Sequence, residues 1–133
     1  KTNEQRFFEE IKRYQREEPE ELAPSLEYAD IHTHNTRHIS TNMSHYQGEI
    51  SVDYKELLKV FGEPLQIGGD KVDWEWVIER GGVVATIYNW KNGPSYGYSG
   101  VTPEDISYWN IGGYSSSAVE LVKSVLLING IKC

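Results

Sequence analysis

Four histidines fall within one short stretch, Ile31 to Tyr46 (IHTHNTRHISTNMSHY): His32, His34, His38 and His45. His32 and His34 are two residues apart, so on a strand both project to one face. Neutral imidazoles suit zinc, iron, nickel or copper. The set could hold a zinc ion, with His32, His34 and His38 serving a small metal-dependent hydrolase or phosphodiesterase and His45 as a further ligand. The same stretch, rich in Thr, Ser and Asn, also reads as a histidine-bearing surface loop. Three carboxylates, Asp73, Glu75 and Glu79, alternate with apolar residues. Paired acids do general acid/base work when burial raises one pKa; a solvated sheet face has the same pattern. Ile111–Gly112–Gly113–Tyr114–Ser115–Ser116–Ser117 precedes a helical pattern, where free N–H groups favour an anion. It lacks the glycine spacing and lysine of a phosphate-binding loop and reads as a strand exit with a serine cap. Beyond Arg80 the only lysines and arginines are Lys91, Lys123 and Lys132, so a polyphosphate would be poorly neutralised there.

A second signal is aromatic. Trp74, Trp76, Tyr88, Trp90, Tyr96, Tyr98, Tyr108, Trp109 and Tyr114 crowd one third of the chain. Trp74 and Trp76 share a strand face and are expected in the core. Lys91 to Glu104 (KNGPSYGYSGVTPE) is a loop of Gly, Ser, Tyr and Pro. That composition joins rigid ring area to adaptable polar contacts, as recognition loops do; the alternative is a loop whose tyrosines lie down on the sheet. Trp90, Asn92, Tyr96, Tyr98 and Trp109 are the expected ligand- or partner-binding residues.

Asp30–Ile31–His32–Thr33–His34 resembles the D-x-H-x-H opening of metal-dependent amidohydrolases and polymerase-type phosphoesterases. Those families add ligands from later barrel strands, whereas this chain has no histidine beyond His45. His32–Thr33 resembles one half of a two-histidine phosphoesterase, which needs a second such dipeptide.

The elements that must position these groups are legible from periodicity. Thr2 to Glu18 is an amphipathic helix by pattern, with Phe7, Phe8, Ile11 and Tyr14 on one stripe and Pro19 ending it. Residues 1–30 form this helix and a connector, and 31–133 a single α+β domain. Strands are expected at Tyr46–Val52, Lys71–Glu79, Val83–Trp90 and Ile106–Gly112. Arg80–Gly81–Gly82 is a hairpin turn. Asp53, three residues before Glu56, should open a short helix by a capping box, with Gly62 as a left-handed cap. Ser115 or Ser116 opens a last helix ending at Asn129–Gly130. The order is helix, then β-α-β-β-β-α: an α+β fold whose mainly antiparallel sheet of about four strands carries helices on one face.

The phrases DYKELLKVFGEP, KVDWEWVIE, VATIYNWK and W-x-I-G-G followed by S-x-x-AVELV resemble, as a set, a family of small tailed-phage proteins. The resemblance covers Gly48 to Val122. It implies a phage-type accessory or anti-defence protein and carries no activity or site residues with it.

The formal charge is −7 over 133 residues. Stable nucleic-acid binding is disfavoured, because it needs cations to displace counterions. The single cysteine, Cys133, excludes an intrachain disulfide. No apolar run reaches the roughly 20 residues of a membrane span and no secretory core is present. The cytoplasm of a host cell is the expected location. The chain starts at Lys1, so the natural start is expected upstream or trimmed. These observations favour a non-enzymatic protein, without cofactor, that sequesters or inhibits a host protein or a small nucleotide signal. Phe7, Phe8 and Ile11 would mediate homo-oligomerisation.

Overall fold

The computed structural model describes residues 30–133. The expected helix, its connector and the self-association residues Phe7, Phe8 and Ile11 lie outside the described residues. From Asp30 onward the fold is α+β, with a six-stranded antiparallel sheet and two helices. The strands are β1 (Ile31–Thr33), β2 (His45–Ser51), β3 (Leu65–Gln66), β4 (Trp74–Arg80), β5 (Val83–Tyr88) and β6 (Tyr108–Gly113); the helices are α1 (Tyr54–Phe61) and α2 (Ser117–Ile128). The sheet order is β1-β4-β5-β6-β2, with β3 also on β4. The four expected strands are present. The two additional ones, β1 and β3, have three and two residues, too few to display a period.

Alternation along the strands sorts the residues onto two faces. Trp76, Ile78, Ala85, Ile87, Trp109, Ile111 and Ile50 share one face by cross-strand register. Both helices pack there. Tyr54 of α1 lies with its ring centroid 5.8 Å from that of Trp76 and 6.3 Å from that of Trp109. The two indoles meet edge-on at 5.3 Å and 78°, an arrangement aromatic pairs favour. Ala118 of α2 sits directly on Gly113, where any Cβ would collide with it. On Gly112 a Cβ would lie 2.6 Å from Thr86 Oγ1. The Gly112–Gly113 pair is therefore a packing device between sheet, helix and Thr86 rather than an anion cradle.

The two hairpin glycines have φ of 57° and 85°, as a two-residue turn with positive φ at both positions requires. Asp53 occupies the N-cap of α1, but its side chain makes no capping bond. Gly62 is the C-cap at φ 81° and ψ −159°, outside the left-handed helical region. Its carbonyl accepts the Trp76 indole N–H at 2.7 Å. At the start of α2, Ser115 Oγ accepts the Ser117 N–H at 3.2 Å. Gly130 N–H to Leu127 O and Ile131 N–H to Leu126 O, both 2.9 Å, close its far end, and Ile131 is buried over it.

Trp76 and Trp109 differ in one respect: the Trp109 indole N–H is buried without an acceptor. An unmet buried donor costs about 1–3 kcal/mol. Trp76→Phe should therefore lose about 1–2 kcal/mol more stability than Trp109→Phe, measured as midpoints of urea unfolding.

Candidate functional site

The loop after β5 is anchored by one polar cluster. Asn89 is fully buried and Asp73 only 8% exposed. Asn89 Oδ1 accepts the Asp73 and Trp74 backbone N–H groups at 2.8 and 3.0 Å. Its Nδ2 donates to Asp73 Oδ2 at 3.0 Å and to Asn92 Oδ1 at 3.2 Å. Asp73 Oδ1 accepts the Ser95 N–H at 3.0 Å and the Ser95 hydroxyl at 2.5 Å. Burial alone would raise the Asp73 pKa, but the hydrogen bonds from Ser95 and Asn89 outweigh it and hold the carboxyl below its ordinary value. Gly93 packs against this pair so closely that a Cβ there would overlap Asp73 Oδ2 and come within 2.8 Å of Asn89 Nδ2. The Lys91 N–H bonds Lys71 O at 2.9 Å. The Asn89 amide thus bonds the backbone where β4 would otherwise begin. This is why β4 starts at Trp74 and β5 stops at Tyr88, inside the expected limits.

This anchor displays the expected rim. Trp90, Tyr96 and Tyr98 are 45%, 46% and 52% exposed. The Tyr96 and Tyr98 rings stack at 6.5 Å and 16°. Lys91 Nζ lies 5.7 Å from both the Trp90 and the Tyr96 ring centroids, and Lys71 Nζ 5.9 Å from that of Trp90, within cation–π reach. Asn92 is exposed, but its side-chain oxygen serves the anchor. Trp109 departs from expectation: it is 0% exposed, in the aromatic core, because its strand position alternates onto the helix-covered face.

Beside the rim, on the face opposite the helices, lies a groove of about 580 Å³ lined by Ser44, His45, Tyr46, Glu49, Tyr88, Trp90 and Asn110. Register brings Glu49 opposite Asn110 and Asn110 opposite Tyr88. Tyr88 and Trp90 meet edge-on at 6.3 Å and 83°. Trp90 is among the expected binding residues, Tyr88 stands only in the aromatic set and His45 only among the candidate metal ligands; the grouping itself escaped sequence reasoning because its members come from three strands far apart in the chain. The polar Asn89 and Asn110 among apolar strand residues were the available signal.

The four histidines are divided. His34 follows β1 at one edge of the sheet and His45 opens β2 at the other. At about 4.8 Å per strand this puts them about 19 Å apart. The Val77 N–H donates to His34 Nδ1 at 3.2 Å, so Nε2 carries the proton it gives to Glu63 O at 2.8 Å. Both His34 ring nitrogens are thereby engaged, one with β4 and one with the residues just past α1. His32 faces Glu79 in register, and His38 is exposed on the loop. Among the described residues no three His, Cys, Asp or Glu side chains are placed to share a metal ion.

The three alternating carboxylates have three separate environments. Asp73 is the loop anchor rather than part of a solvated face. Glu79 pairs with Arg37 and accepts the Gly82 N–H at 2.9 Å. Glu75 is half-buried beside Tyr88, and burial raises its pKa.

No family model matches the chain, and no curated protein or solved structure is significantly similar to it. No helix among the described residues is long and apolar enough to cross a membrane.

Asp73→Ala should lower stability by about 3 kcal/mol, from lost hydrogen bonds to a charged group. Because the folded Asp73 pKa is depressed, its contribution is present above the unfolded value of about 3.9 and is lost as pH falls through the folded value. The stability gap between the native chain and Asp73→Asn should therefore narrow on acidification, read by urea unfolding at pH 7 and pH 3. Glu75 has the opposite sign. Its folded form binds the proton more tightly, so stability falls as pH rises from the unfolded value of about 4.3 through the raised folded value. Glu75→Gln should raise Tm at pH 7, and the gain should vanish below about pH 4.

Proposed function

We propose that this chain is a non-enzymatic accessory protein of the phage type that works by binding, sequestering or inhibiting a host protein through the Trp90–Tyr98 rim. The observation that carries this reading is the anchoring of exposed rings. Three aromatic side chains stand outside the core on a loop whose base is bonded to Asp73 and Asn89. Rings held in place lose little freedom on binding, and they supply large contact area per residue. Lys91 is part of the same arrangement. Its φ of 58° is a conformation that non-glycine residues adopt at a cost of about 1–2 kcal/mol, and it sets the ammonium between Trp90 and Tyr96. That ammonium beside stacked rings also suits the phosphate and base of a small nucleotide signal, the second ligand class this rim could hold.

The test is capture from host lysate on immobilised protein, with mass spectrometry of proteins and of copurifying small molecules. The native chain should retain one discrete partner by either route, and the Tyr96→Ala/Tyr98→Ala variant should lose at least ten-fold of it while remaining folded. Equal retention by the two would reject the rim as the binding surface.

A further inference from the structure

The groove has a composition of its own. Its walls are the Tyr46, Tyr88 and Trp90 rings, and Glu49 and Asn110 oppose each other within it. Glu75 borders Tyr88 from β4. Arg37 pairs with Glu79, and among the described residues no Lys or Arg is paired with Glu49 or Glu75. Ring faces attract cations, most strongly where water is partly excluded. Lys71 and Lys91 already lie near Trp90, so their charge belongs to that end. The opposite end, between Tyr46, Tyr88 and Glu49, joins ring faces to a carboxylate with no ion pair among the described residues. A guanidinium matches that pairing better than an ammonium, because it is planar, stacks on rings and bonds a carboxylate with two N–H groups.

We propose that the groove between β2, β5 and β6 receives an arginine of a basic partner segment, its guanidinium against Tyr46, Tyr88 and Glu49 and its aliphatic stem along Trp90. This rests on the protein-binding reading above and names the chemistry of the partner. Charge complementarity supports it beyond the groove, since residues 30–133 hold twelve Asp and Glu against eight Lys and Arg, a balance that favours a basic segment. Asn110 lies opposite Glu49 with an amide able to accept a further guanidinium N–H. Burial that weakens the ionised form of Glu75 also means that a cation arriving nearby relieves part of that penalty.

The test uses the full ¹⁵N-labelled chain titrated with (Gly-Arg)₄, with the isosteric but neutral (Gly-citrulline)₄, and with GMP. Trp74, Trp76 and Trp109 are buried, so the Trp90 indole signal reports rim and groove together, and the Tyr46, Glu49 and Asn110 amides single out the groove. The arginine peptide should shift that signal together with the amides of Tyr46, Glu49 and Asn110, and the citrulline peptide should not. Glu49→Gln should weaken the arginine peptide at least ten-fold. Glu56→Gln, on α1 away from the groove, should leave it unchanged. Equal response to citrulline, shifts confined to other surfaces, equal weakening by Glu56→Gln, or groove shifts with GMP alone would each overturn the proposal. Tyr96→Ala/Tyr98→Ala separates the two readings: it should leave the arginine titration intact while abolishing capture. Capture by the rim without any arginine response sinks the groove proposal alone.

Discussion

The displayed surface of this protein depends on a buried carboxylate held by neutral donors. Asp73 has lost most of its water, yet it stays ionised because Ser95 and Asn89 replace that water with aimed N–H and O–H groups. Such a cluster is strong only when every member is satisfied. Asn89 meets this condition by bonding backbone N–H groups with its oxygen and side-chain acceptors with its nitrogen. Gly93 is the geometric partner of the cluster, since only a residue without a side chain lets the loop backbone lie against the Asp73–Asn89 pair. The interior of the fold does not need this device. Trp76, Trp109, Leu57, Val122 and Leu126 close the core beneath both helices without any polar contribution from the loop.

This separation between a self-sufficient core and a hydrogen-bonded display loop explains how exposed rings are tolerated. A tyrosine or tryptophan on a slack loop would fold back onto the nearest apolar surface. Here the backbone around Gly93 is bonded at several points, including Tyr96 N–H and Tyr98 N–H to Gly93 O at 3.1 and 3.3 Å. The rim and the groove then share Trp90, so a ligand at one alters the surroundings of the other. Glu75 extends the same logic into the sheet. A half-buried carboxyl with a raised pKa is a local expense to stability of the kind binding surfaces commonly keep.

The sequence made most of the fold legible, because its elements have long, clean periods. Val72–Ile78 alternates, Tyr54–Phe61 turns at helical spacing, and Gly81–Gly82 can hardly be anything but a hairpin. What escaped was whatever depends on partners distant in the chain. β1 and β3 exist only because β4 offers one edge to bond, each taking a different end of it. His34 looked like a ligand and proved to be a brace, since its spacing from His32 says nothing about Val77 or Glu63 waiting at its two nitrogens. Asp73 was placed by alternation on a solvated face, whereas its surroundings are set by Asn89 and Ser95, sixteen and twenty-two residues on. Trp109 belonged to the right composition and the wrong face. The exposed trio Trp90, Tyr96 and Tyr98 was readable because Gly, Ser and Pro around them mark a loop. The groove was not readable, because Tyr46, Glu49, Tyr88 and Asn110 meet only through the register of three strands.

Amide hydrogen exchange resolved to single residues tests the central constraint most directly. In the native chain the Ser95 and Trp74 amides should be protected nearly as well as those in the middle of β4 and β5. In Asn89→Ala, the Ser95 amide should lose its protection through local opening while Val77 and Ile87 keep theirs. If the Ser95 amide of the native chain exchanges as freely as an unstructured one, the loop is not held by Asp73, and the account of the rim built on it is wrong.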